Sequence, residues 1–112
     1  MVRTAPQRHT ISAGSTRLLA FIFTDDLPSG VVLTGTPTVD EVGADVLTIT
    51  NVAVNTATFV DDNTGDTIAI GHAVQALVSG GTAGTEYQLR CTVSNDASPA
   101  ETYVGDVIVR YD

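Results

Sequence analysis

Apolar and polar residues alternate along most of this chain, and the alternation has period two. The clearest case is Glu86 to Ser94. Tyr87, Leu89, Cys91 and Val93 share one parity, while Glu86, Gln88, Arg90 and Thr92 share the other. That pattern predicts a half-buried β-strand with the first set inward. Thr102 to Tyr111 repeats it, with Val107, Val109 and Tyr111 on one face, and Asn95 to Glu101 between them reads as a hairpin loop. Val46 to Val54 predicts a strand with Leu47 and Ile49 inward, and its alternation slips near Asn51, which predicts a bulge. Val31 to Val42 predicts one or two short strands broken by Gly35 and Pro37. Ala57 to Val60 predicts a short strand anchored by Phe59, and Thr67 to Ile70 another, before a strand over Ala73 to Ser79. Leu18 to Phe23 departs from the rule. Leu19, Phe21 and Phe23 fill one face, and Leu18, Ala20 and Ile22 fill the other. A sandwich strand ordinarily keeps one wet face, so this run predicts a cover over its second side.

Seven or eight short strands at regular spacing, with no amphipathic helix of useful length, predict an all-β fold. The expected architecture is a single antiparallel β-sandwich of immunoglobulin-like type over residues 16–112. Residues 1–15 are polar and are expected to form an N-terminal arm, either frayed or ordered on a neighbouring subunit.

Composition agrees. The chain has 112 residues, one domain by length, with ten glycines and four prolines as punctuation and no tryptophan. Its β-branched bias suits pleated, half-buried surfaces. The formal charge is −8, and five arginines with no lysine carry all the fixed positive charge. Tracking a phosphate backbone needs clustered cations, so nucleic-acid binding is not expected, nor is binding to an anionic membrane. No stretch approaches the roughly 20 apolar residues of a membrane span, and no secretory leader is visible in the first fifteen residues. Cys91 is the only cysteine. Its place in the alternation predicts a buried thiol, consistent with a reducing cytoplasm.

Candidate chemistry is sparse. Asp61, Asp62, Asn63 and Asp66 could offer oxygen ligands to calcium, but the closing glutamate of an EF-hand loop is missing, and Asp and Asn favour turns on their own account. Asp25 and Asp26 read as a solvated turn, and Asp40, Glu41 and Asp45 as a looser acidic loop. His9 and His72 with one cysteine match no zinc spacing. No nucleophile elbow, phosphate loop or dinucleotide fingerprint is present. Catalytic residues, metal and cofactors are therefore expected to be none.

Two stretches carry a resemblance. Arg17 to Thr38, RLLAFIFTDDLPSGVVLTGTPT, and Val74 to Val109, with SGGTAGTEYQL as its specific part, resemble the fiber-tail adaptor family of tailed bacteriophages. A tryptophan common in the first turn of that family is missing here, and Asp40 to Ile70 has no counterpart. The resemblance implies a virion protein of tail or neck that attaches fibres or neighbouring tail proteins, in several copies, made in the host cytoplasm. A head-decoration or neck-fibre domain and a carbohydrate-binding module share the same architecture. Tyr87 after the glycine-rich turn resembles a tyrosine corner, with Gly81 and Gly84 as its flexible positions. For the partner interface, the residues expected to act are Arg3, Arg8 and Arg17, with Leu18 and Ile22 packing beneath them.

Overall fold

The computed structural model describes residues 7–61 and 64–112. Strands and turns account for nearly all of it. In chain order the strands are β1 Gln7–Ile11, β2 Arg17–Ile22, β3 Leu33–Val42, β4 Thr48–Val54, β5 Phe59–Val60, β6 Thr67–Ile68, β7 Ala73–Ser79, β8 Glu86–Asn95 and β9 Thr102–Tyr111. A single turn of 3₁₀ helix spans Thr24–Asp26.

The strands form two facing sheets and a small hairpin. One sheet has the order β1-β9-β8-β3, the other β2-β7-β4, and β5 pairs with β6. The inward set of each sheet makes one core. Leu19 and Phe21 of β2 and Val74, Ala76 and Val78 of β7 meet Leu89, Cys91 and Val93 of β8 and Val107, Val109 and Tyr111 of β9. The chain is thus an all-β sandwich. All pairings among the described residues are antiparallel except β1 with β9, which is parallel.

That exception corrects the arm expected over residues 1–15. From Gln7 onward the chain belongs to the sandwich. β1 runs in register with β9 from Gln7 opposite Val107 to Ile11 opposite Tyr111, and Ile11 is only 1% exposed. The physical reason is the single large apolar side chain in an otherwise polar segment, which the parallel pairing delivers to the core. The expected Arg3 lies outside the described residues, as do Asp62 and Asn63.

Two irregularities fall where the pattern breaks. The β4 ladder shifts between Thr50 and Ala53, around Asn51 with its positive φ of 55°. The β3 ladder shifts between Thr34 and Thr38, around Gly35 and Pro37. β3 is therefore one bulged strand rather than two.

The glycine-rich turn connects β7 to β8, which lie in different sheets. It is a corner between sheets, and the closing hairpin is β8 to β9.

Candidate functional site

The corner is held from three directions. The Tyr87 hydroxyl accepts a hydrogen bond from the Thr82 N–H at 2.9 Å. That donated bond holds the Tyr87 phenol below its ordinary pKa. The Tyr87 ring meets the Tyr111 ring edge-on, with centroids 5.7 Å apart. Gly81 passes so close to the Tyr111 ring that a Cβ there would collide with it, and Gly84 turns with a φ of +82°, a conformation that disfavours a side chain. Burial pushes the Tyr111 phenol up. These groups fix a turn. They surround no cavity.

Two buried asparagines fix the other ends of the sandwich, and both escaped the sequence reading. Asn55 is 2% exposed. Its amide donates to the Ala57 and Ala69 carbonyls, and its Oδ1 accepts from the Gly71 and Ala73 N–H groups. One side chain thereby ties the end of β4 to the start of β7. Asn95 donates to the Tyr103 hydroxyl at 2.9 Å and accepts from Ala97 and Glu101, which closes the β8–β9 hairpin. Glu41 was expected in a solvated loop. It is half-buried, and its Oε1 accepts from both Val46 and Leu47 at 2.8 Å. The missed signal was a polar residue beside a glycine-bearing loop, which sequence alone does not separate from a solvated one.

The outer faces of the two sheets differ in kind. Outside β3, β8 and β9 stand Thr38, Asp40, Arg90, Thr92 and Asp106, with the apolar Val42, Val104 and Ile108 interspersed among them. Arg90 grips Asp106 with two hydrogen bonds of 2.9 and 3.2 Å, and Gln88 adds a third contact at 3.0 Å. That ion pair raises the Arg90 pKa. Outside β2 and β7 the side chains are mostly apolar, with Gln75 the polar residue at their centre. Leu18 stands opposite Leu77, Ala20 opposite Gln75 and Ile22 opposite Ala73.

The cover that β2 needs is only partial. The β5–β6 hairpin, with Phe59, flanks the outer side of β2, and a cleft of about 200 Å³ remains between them. Leu18, Ile22, Phe59 and Val60 supply its apolar wall, with Arg17 and Asp61 also lining it and His9 contributed by β1. Leu18 and Val60 are 52% and 57% exposed. Phe59, expected to anchor its short strand, is half-buried and forms part of this cleft. A two-residue strand in its own small sheet cannot carry its side chain between the main sheets. Asp61 is buried, accepting from the Thr64 hydroxyl and the Gly65 N–H within its own turn.

The arginines expected at the interface are separated. Arg8 lies 3.5 Å from Glu86 of β8 in its own sheet, with both side chains well exposed. Arg17 opens β2 at the cleft and, alone among the described arginines, has no ion pair. Leu18 adjoins it and Ile22 stands at the far end of β2, so Arg17, Leu18 and Ile22 line one cleft and Arg8 does not.

Among the described residues no group of three or more His, Cys, Asp or Glu side chains is placed to hold a metal ion. Cys91 is buried, and burial pushes its thiol up to about 12. Comparison with family models, with curated proteins and with solved structures returned no match.

Proposed function

We propose that this chain is a structural subunit of a tailed-phage virion, an adaptor in the tail or neck that attaches fibres or neighbouring tail proteins. The observation that carries the reading is the unequal pair of outer faces. The β3-β8-β9 face is a threonine-rich and ion-paired surface suited to water. The β2-β7 face presents exposed Leu18 and Val60 around an apolar cleft. Exposed apolar surface rimmed by polar groups is the ordinary mark of a protein contact. The resemblance at SGGTAGTEYQL supplies the biological setting, and the Tyr87 corner is the part of that stretch with a defined structural role.

The sandwich is proposed to be immunoglobulin-like in topology. Taking β2, β3, β4, β7, β8 and β9 as strands B, C, D, E, F and G gives the sheets B-E-D and C-F-G, the constant-type order without its first strand in the B-E-D sheet. β1 lies instead beside β9. The corner tyrosine then falls at the start of strand F, where that fold places it.

The adaptor acts by binding and performs no chemistry in this reading. Particles purified from a lysate in which the gene is expressed test it. The expected result is the chain at fixed stoichiometry, located at the tail or neck by electron microscopy. Particles that are complete without the chain overturn the reading.

A further inference from the structure

A sheet edge is a row of unpaired backbone groups, and proteins protect such edges with bulges, prolines or charge. Among the described residues the two main sheets have four edges: β1 and β3 in one sheet, β2 and β4 in the other. β3 is interrupted by its bulge at Gly35 to Pro37. β4 is interrupted at Asn51. β1 presents Arg8 and Thr10, both exposed, on its outer side. β2 has neither bulge nor proline, and its one charge, Arg17, stands at its start. Its six residues pair with β7 in unbroken register from Arg17 opposite Val78 to Ile22 opposite Ala73.

The direction of its free groups follows from one hydrogen bond. The Phe23 N–H donates to the His72 carbonyl at 2.9 Å. Bonded and non-bonded pairs alternate along an antiparallel ladder. Arg17, Leu19 and Phe21 therefore bond to β7. Leu18, Ala20 and Ile22 aim their backbone N–H and C=O groups away from it, toward the open edge. The same three residues put their side chains on the apolar outer face, beside the cleft.

Charge decides what fits there. The chain carries −8 overall, yet Arg17, with no ion pair among the described residues, stands at the start of this edge. A second copy is a poor occupant. Antiparallel β2–β2 pairing that matches the edge-facing residues sets Leu18 against Ile22 and Arg17 against Phe23, and parallel pairing brings the two Arg17 side chains together. Neither supplies a carboxylate, and both oppose two strongly acidic bodies.

We infer that the open edge of β2 accepts an extended acidic segment of a different protein as an added strand. Its backbone bonds to Leu18, Ala20 and Ile22, a carboxylate sits on Arg17, and an apolar side chain enters the cleft between Leu18 and Val60. This is β-strand addition, in which main-chain bonds give affinity and alternate side chains give specificity. The inference deepens the adaptor reading and rests on it for the existence of a partner.

The test uses the full chain, isotope-labelled, and synthetic hexapeptides of alternating Val and Thr with one Glu at each position in turn. The expected result is amide shift changes confined to β2 and the cleft for the peptides whose Glu reaches Arg17. Replacing that Glu by Lys abolishes them, and N-methylation of the edge-facing peptide nitrogens abolishes them without altering the protein. Arg17→Gln, at an exposed position, weakens binding by roughly threefold to fivefold, as loss of one exposed ion pair does. Shifts that are absent throughout the panel, that map away from β2, or that survive N-methylation overturn the inference. The two readings fail separately. Peptide binding at β2 by a chain that never enters particles refutes the virion role alone. A chain present in particles whose β2 edge ignores every peptide refutes strand addition alone.

Discussion

At the scale of single residues, the polar groups inside this sandwich differ in how much they hold. Tyr87 satisfies one backbone donor, whereas Asn55 satisfies four backbone groups at once. Tyr87→Phe is therefore expected to lower the melting temperature by about 4 °C, the order of one net hydrogen bond in a domain of this size. Asn55→Ala strands the Ala73 N–H in the interior and leaves the Gly71 N–H only its 3.2 Å bond to the backbone carbonyl of position 55, and is expected to cost about 2–4 kcal/mol. Asn55→Asp restores the acceptor but turns the two donated bonds into contacts between oxygens, so it should not rescue. Denaturant melts of the three variants check the order, and an Asn55→Asp variant as stable as the parent would contradict it.

Cys91 makes a second residue-scale case. Its thiol is neutral in the fold and pushed up to about 12 because burial penalises the thiolate. An unfolded chain would ionise this thiol near its ordinary value of 9.0. Above that pH the unfolded state binds fewer protons than the folded one, so stability falls as pH rises. The contribution is whole below about pH 9 and is lost progressively up to about 12. Melting temperatures measured from pH 8 to pH 11 should decline more steeply for the parent than for Cys91→Ala. Parallel slopes would place the thiol in a solvated setting.

Among elements, legibility followed local pattern. β8 could be read directly because its alternation is unbroken, and β9 through its run from Val107 to Tyr111, with one face of each buried. The bulge at Asn51 was legible for the same reason, since a slip in a period-two pattern has few other causes. β1 was not legible. Its partner β9 lies about a hundred positions along the chain, the pairing is parallel, and only Ile11 marks its inward face. Nor was the role of β5 and β6, whose two-residue strands are too short to show any period. Of the residues expected at an interface, Leu18 and Ile22 could be placed on the outer face because β2 is apolar on both faces. The separation of Arg8 from Arg17 was not, because it depends on which sheet each strand joins. Placing β1 in the sheet has a consequence for experiments. Removing residues 1–15 takes away a strand and its buried Ile11, so it tests folding as much as assembly. Ile11→Ala alone is expected to cost about 2–5 kcal/mol, measured by urea denaturation. A loss below about 1 kcal/mol would mean that β1 only rests on the sheet.

At the scale of the whole molecule, the sandwich has two outsides with opposite chemistry. If the β2-β7 side is the attached side, a particle should bury it and leave the β3-β8-β9 side in water. Buried Cys91 makes this measurable, because a native-state thiol reagent has no competing site to find. Leu18→Cys places a thiol at the exposed cleft wall, and Thr38→Cys places one on the exposed outer face of β3. Both should label rapidly in the free protein. In assembled particles the thiol at position 18 should become protected by tenfold or more, the change expected when a half-exposed side chain enters a contact carrying more than about 1.4 kcal/mol. The thiol at position 38 should label as before. Protection at 38 with continued labelling at 18 would turn the molecule around, making the ion-paired face the contact and leaving the apolar cleft without its proposed role.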